Sequence, residues 1–203
     1  MTPPGTARLA RDLGPVLRRT TDDGAAHEPG VLPEDLRRAL LAEVDAERYA
    51  PLPAVEGPHG VRQDGEYLVL AGEEVGRRPV VDALRTALVD AVRVSGVPGI
   101  DAWWPDEVTI QRYAPGSGGI STHLDGRRHR HLVAVLTAEG SAVLRQCSDR
   151  AGTTLRAWDA DAGSLVLLRG PGLAGVEDGR PLHAVDGPVD GRRTSVTFRA
   201  TGA

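Results

Sequence analysis

The sequence predicts an α+β protein built on a double-stranded β-helix, the cupin-like jelly-roll barrel, with N-terminal helices packed on the outside of one sheet. From Glu107 onward, short β-rich runs recur at close intervals between Gly, Pro, Asp and Ser turns. Eight candidate strands fall near 107–113, 119–125, 131–138, 141–147, 153–158, 164–169, 181–186 and 192–200, which is the number a jelly roll requires. Two stretches with helical apolar spacing precede them, and none follows.

Residues 1–30 carry Pro3, Pro4, Gly5, Gly14, Pro15, Gly24, Pro29 and Gly30 around a polar run. A loop-like or mobile arm is expected there, with at most a short strand at Val16–Arg19. Residues 31–203 then read as a single domain, with 31–104 as helical and hairpin support and 105–200 as the jelly-roll core. Pro33 suits a helix start, and Leu36, Ala39, Leu40 and Val44 follow the spacing of a buried stripe, which predicts a helix over about 33–47. The pair Asp64-Gly65 followed by Tyr67 to Leu70 predicts a hairpin. Val81, Leu84, Leu88 and Val92 mark a second amphipathic helix over about 79–95.

Composition narrows the function classes. With 203 residues and a formal net charge of -4, the chain can bury a real core but has no global field to attract phosphate backbones. The lone Cys147 cannot form an intrachain disulfide, and no apolar signal segment opens the sequence, so a cytoplasmic location is expected. No run approaches the roughly 18 apolar residues that a membrane span needs.

The chemistry begins in the stretch DEVTIQRYAPGSGGISTHLD, residues 106–125. Residues i and i+2 of a strand share a face, so His123 and Asp125 can reach one metal ion; the alternative is a surface His that happens to lie near an Asp. His183, in the distant run PLHAV, can supply a third ligand. Two His and one carboxylate leave three positions of an iron open for a chelating co-substrate and dioxygen. Upstream, Thr109, Gln111 and Tyr113 alternate with Val108 and Ile110, so this polar row faces either solvent or an interior ligand. In RRTSVTFR, Arg193, Ser195, Thr197 and Arg199 share one face opposite Val196 and Phe198. Arginines aimed into a barrel need an anion, and the guanidinium fork suits a carboxylate; the alternative is an exposed edge strand with solvated arginines.

With these residues placed, the chain resembles the Fe(II)- and 2-oxoglutarate-dependent dioxygenases, and within them it is most similar to the AlkB-like branch. The resemblance runs from about Trp104 to Ala200 and rests on PDEVTIQRYAPGSGGISTHLD, GSLVLLRGPG, the His of RPLHAV and RTSVTFR taken in that order. It implies that His123, Asp125 and His183 form the catalytic centre as ligands of Fe(II). It further implies that Tyr113, Arg193, Ser195 and Arg199 bind 2-oxoglutarate, with Arg193 on the distal carboxylate and Arg199 nearer the metal. Gln111 stands where the family usually has Asn and is expected to contact the same co-substrate. The implied reaction uses O2 to decarboxylate 2-oxoglutarate to succinate and CO2 while oxidising a substrate C–H bond.

The branch's repair enzymes carry an acidic residue two positions past the metal Asp, where this chain has Arg127. If the strand continues past Asp125, Arg127 shares its face and suits a substrate carboxylate or phosphate at the pocket mouth. In place of a dense aromatic lid there are only Trp103, Trp104 and Tyr67; of these, Tyr67 and Trp104 join Arg127 as substrate candidates. Hydroxylation of a small molecule is therefore the leading expectation, with demethylation of alkylated nucleic acid or nucleoside as the competitor and a non-catalytic metabolite-binding jelly roll as a third. His129 and His131 in GRRHRH lack the nearby Glu of a cupin metal site and read as part of a solvated basic loop. His27 and His59 read as exposed, and Cys147 as a buried thiol.

Overall fold

Strands that alternate apolar side chains with arginines and hydroxyls need two different interiors, and the fold provides both. The structure is a computed structural model in which residues 7–53 and 60–202 are described. His59 and the Pro3-Pro4-Gly5 run lie outside the described residues. The elements are α1 Gly14–Asp23, β1 Ala25–Glu28, α2 Glu34–Asp45, β2 Ala50–Pro51, β3 Gln63–Asp64, β4 Glu66–Ala71, α3 Glu73–Gly76 and α4 Pro79–Arg93. They are followed by β5 Glu107–Tyr113, β6 Gly119–His123, β7 Arg130–Glu139, β8 Ser141–Cys147, β9 Thr154–Asp161, β10 Leu165–Arg169, β11 Leu182–Val185 and β12 Arg193–Ala200. Short 3-10 turns lie at Ile100–Ala102 and Leu173–Gly175.

Two antiparallel sheets form the jelly roll, a seven-stranded one in the order β1-β10-β7-β12-β5-β4-β2 and a five-stranded one in the order β3-β6-β11-β8-β9. The outer face of the larger sheet is apolar. Val108, Ile110, Leu132, Ala134, Leu136, Leu165, Leu167, Val196 and Phe198 pack there against Leu17 of α1, Leu40 and Val44 of α2, and Val81, Leu84, Leu88 and Val92 of α4. Alternate residues of the same strands, including Val133, Val166 and Leu168, point between the sheets and join Leu144 and Val185 of the smaller sheet in a second core. The helices are thus on the outside of one sheet, as expected. Glu43 of α2 fixes their mutual position by accepting the orphan N–H groups of Val80 and Val81 at the start of α4 (3.0 and 2.9 Å).

The expected N-terminal loop is corrected. Leu13, Val16, Leu17 and Thr20 follow helical spacing and are fully buried along α1, and β1 then pairs with β10 at the edge of the larger sheet. The Pro and Gly residues act here as helix punctuation: Pro15 lies in the first turn, and Gly24 ends the helix in a left-handed conformation (φ 86°) that donates its N–H to Thr20. His27 is half-buried in β1, not exposed. Ala39, placed by spacing in the buried stripe of α2, is exposed.

Asp64-Gly65 is not a hairpin turn. It is where the chain crosses between sheets, β3 pairing with β6 while β4 pairs with β5 and β2. Glycine is required by proximity, since a Cβ on residue 65 would lie 2.5 Å from the carbonyl oxygen of Arg112.

Candidate metal centre

Strand β11 lies between β6 and β8, and its register sets His183 beside His123. Their ring centroids are 4.2 Å apart. β6 ends at His123, so Asp125 reaches the site from the chain just past the strand, not by strand parity. Among the described residues, His123, Asp125 and His183 offer three ligand atoms that all lie within 4.8 Å of one another. Both imidazoles are oriented alike: Nδ1 of His123 bonds the carbonyl of Ser121 (2.9 Å), and Nδ1 of His183 bonds that of Pro181 (3.1 Å). A proton held on Nδ1 by a carbonyl leaves the Nε2 lone pair free, which is the tautomer a metal ligand needs.

Electrostatics favour the same state. Burial, helped by the neighbouring His183, pushes the His123 imidazolium down to about 4. Burial alone would raise the Asp125 carboxyl, but Arg199, His183, His123 and His129 outweigh it and hold the group at about 2. At neutral pH the site therefore presents a neutral imidazole at His123 and a carboxylate at Asp125, the protonation states that ligate a divalent metal.

A second set of groups converges on this point from the larger sheet. The β12–β5 register pairs Arg193 with Tyr113, Ser195 with Gln111, Thr197 with Thr109 and Arg199 with Glu107. The polar row thus faces the interior between the sheets, while Val108, Ile110, Val196 and Phe198 serve the helix-side core. One cavity is lined by Gln111, Tyr113, His123, Asp125, His183, Arg193, Ser195 and Arg199 together with apolar side chains from both sheets. Arg199 donates to Thr109 Oγ1 (2.8 Å) and to Asp125 Oδ1 (3.3 Å). Arg193 is 1 % exposed, its Nε has no partner, and it makes no ion pair among the described residues. Its one hydrogen bond, to Thr137 Oγ1, is long at 3.4 Å. Burial pushes this guanidinium down to about 10. A buried unpaired cation beside a His-His-Asp cluster fits a small anion bound alongside a metal.

The remaining substrate candidates lie elsewhere. Trp104 is 44 % exposed and stacks on Arg85 of α4 (4.6 Å), away from the cavity lining. Trp103 is fully buried and donates its indole N–H to the Leu132 carbonyl (2.7 Å), so it is a core residue and not a stacking platform. Tyr67 pairs with Gln111 in the β4–β5 register but does not line the cavity. Arg127 is exposed and reaches Asp178 at 3.5 Å; because β6 stops at His123, the strand that would have aimed it at the pocket does not exist.

Three functional neighbours are not evident in the sequence pattern. His129, expected in a solvated loop, is buried beside Asp125. Glu107 is buried with it, and its parity with Thr109, Gln111 and Tyr113 was the available signal. Arg180 donates to the backbone carbonyl of Asp125 (2.5 Å) while gripping Asp178.

Neither a family model nor a curated protein sequence matches the chain. Solved structures do. A Pseudomonas putida prolyl-4-hydroxylase matches 95 % of this chain and 100 % of its own, at 22 % identity and a TM-score of 0.65. A Trichoplax adhaerens prolyl hydroxylase in complex with a hypoxia inducible factor peptide fragment matches 93 % and 89 %, at 12 % identity and 0.64. SnoN, a non-heme alpha ketoglutarate dependent epimerase from nogalamycin biosynthesis, matches 92 % and 82 %, at 16 % identity and 0.62. At these identities the likeness is one of fold, and the fold is the jelly roll of 2-oxoglutarate oxygenases.

Proposed function

We propose that the chain is a non-haem Fe(II)- and 2-oxoglutarate-dependent dioxygenase that hydroxylates a C–H bond of a small molecule. Arg193 carries this assignment, as a guanidinium buried without an acid partner among the described residues, in the cavity that also holds the His-Asp-His cluster. The fold likeness to prolyl hydroxylases, and to SnoN solved with Fe3+ and alpha ketoglutarate, supports it.

In this mechanism His123, Asp125 and His183 would hold the iron. Arg193, with Tyr113 and Ser195 alongside, would receive the distal carboxylate of 2-oxoglutarate, Arg199 would lie nearer its metal-binding end, and Gln111 would contact the same molecule. When bound, iron and 2-oxoglutarate would supply the oxidising chemistry from O2, with succinate and CO2 as the co-products. Arg199 balances the Asp125 carboxylate, so that this ligand stays ionised within the cavity. Ile120, Val135, Leu144 and Val185 exclude water beside the reacting centre.

The narrower AlkB-like assignment rests on the sequence motifs, and demethylation of an alkylated base is disfavoured by the position of Trp104 on Arg85 and by the net charge of -4. Arg127, exposed near Asp178, is the proposed contact for an anionic substrate group. Anaerobic addition of Fe(II) and 2-oxoglutarate is expected to give a weak visible charge-transfer band. A His123→Ala protein that keeps the full band would overturn the metal assignment. Formaldehyde release from methylated oligonucleotides would replace the small-molecule assignment with the demethylase one.

A further inference from the structure

Asp125 is contacted unequally at its two carboxylate oxygens. Oδ1 lies 3.3 Å from Arg199 Nη2 and 3.9 Å from His129 Nδ1, whereas Oδ2 lies 3.7 Å from His183 Nε2. His129 reaches this position because its own N–H bonds the Gly126 carbonyl (3.0 Å), closing a turn that folds the ring back over the carboxylate four residues earlier. The imidazole is 9 % exposed. Its other nitrogen, Nε2, lies 3.4 Å from Oε1 of Glu107, itself buried and held on Oε2 by Arg128 (2.8 Å). Nε2 is thus paired with Glu107, whereas Nδ1 has no hydrogen-bond partner among the described residues. A buried imidazole set between two carboxylates, with Nδ1 unsatisfied, is not explained by packing alone.

We propose that His129 is a positioning residue which, backed by Glu107, engages Oδ1 of Asp125 and so presents the carboxylate to a metal through Oδ2 alone. This rests on the metal assignment of the triad made above. A carboxylate with both oxygens free can bind a cation through both, consuming a further coordination position. Engagement of Oδ1 keeps that position for co-substrate or dioxygen. Arg199 shares Oδ1 but is also tied to Thr109, so the β12–β5 sheet fixes its direction. His129 comes from a separate segment, the chain that follows Asp125 itself, and a shift of about 1 Å brings its Nδ1 into hydrogen-bond range. The two donors together restrain rotation of the carboxylate, which either one alone would permit.

The test titrates Co(II) into the protein and reads both affinity and visible absorption, which reports coordination number. Failure of the unaltered protein to bind Co(II) would overturn the metal assignment and this inference with it. With binding established, His129→Ala is expected to weaken Co(II) binding about 10- to 100-fold and to alter the absorption spectrum. His129→Gln, which keeps a donor within reach of Oδ1, should recover most of that loss, and Glu107→Gln should reproduce part of the spectral change without touching a ligand. Wild-type affinity and spectrum in His129→Ala, or equal losses in the Ala and Gln variants, would overturn the positioning role while leaving the metal site standing. If circular dichroism shows that His129→Ala does not fold, Glu107→Gln decides: an unchanged affinity and spectrum there has the same overturning force.

Discussion

Arg193 stands opposite Tyr113 in the β12–β5 register, with its guanidinium carbon 5.9 Å from the phenol ring and no acid to neutralise it among the described residues. Burial of an uncompensated charge opposes folding, and an anion bound beside it, as proposed above, would offset that cost. Arg193→Met is therefore expected to leave the ligand-free protein at least as thermally stable as the unaltered one. It should also abolish the increase in melting temperature produced by 2-oxoglutarate, a loss of about 2–5 kcal/mol of binding. Thermal scans with and without 2-oxoglutarate check both halves. A variant that keeps the full shift would remove Arg193 from the anion site.

Most of this site was legible because its residues lie on strands. The period of two that puts Val196 and Phe198 in the helix-side core puts Arg193, Ser195 and Arg199 in the cavity, and the strand limits 107–113 and 141–147 coincide with β5 and β8. What was not legible depends on turns and on sheet crossings. His129 meets Asp125 through a turn whose geometry no periodicity encodes, and Asp64-Gly65 has the composition of a hairpin while serving a sheet crossing. In α1 the same Pro and Gly residues that suggest a loop are helix caps, and only the buried spacing of Leu13, Val16, Leu17 and Thr20 separates the two cases.

The metal-free protein should lose stability as pH falls below neutral. His123 is held near 4 in the fold against 6.5 when unfolded, so between those values the unfolded chain binds the extra proton and gains on the folded state. The loss from this group is at most about 3 kcal/mol and is complete near pH 4. Asp125 acts in the same direction lower down: its contribution is present above 3.8 and is lost as pH falls towards 2. Urea unfolding between pH 7 and 4 should show the decline, and His123→Leu should flatten it. An equally steep decline in that variant would assign the pH dependence to other groups.

Gly65 links the sheet crossing to the site. A Cβ there would lie 2.5 Å from the Arg112 carbonyl and 3.0 Å from Cδ1 of Tyr113, and backbone cannot yield as a flexible side chain does. Gly65→Ala is expected to cost about 1–3 kcal/mol in urea unfolding and to weaken 2-oxoglutarate binding through Tyr113. Loss of stability with normal co-substrate binding would confine Gly65 to a folding role.

Arg127 and Arg180 share Asp178 but face different tasks. Arg180 forks onto both carboxylate oxygens of Asp178 (2.8 Å each) and gives its third nitrogen to the Asp125 carbonyl, so it braces the chain segment that carries this proposed metal ligand. Arg127 is two-thirds exposed and reaches Asp178 only at 3.5 Å, an arrangement worth little to stability and easily exchanged for another anion. Arg180→Ala is therefore expected to weaken metal binding measurably. Arg127→Ala should leave metal and 2-oxoglutarate binding unchanged while raising KM for an anionic substrate, an increase that fades at high salt. Once a substrate is in hand, unchanged KM and turnover in Arg127→Ala would exclude this arginine from substrate recognition.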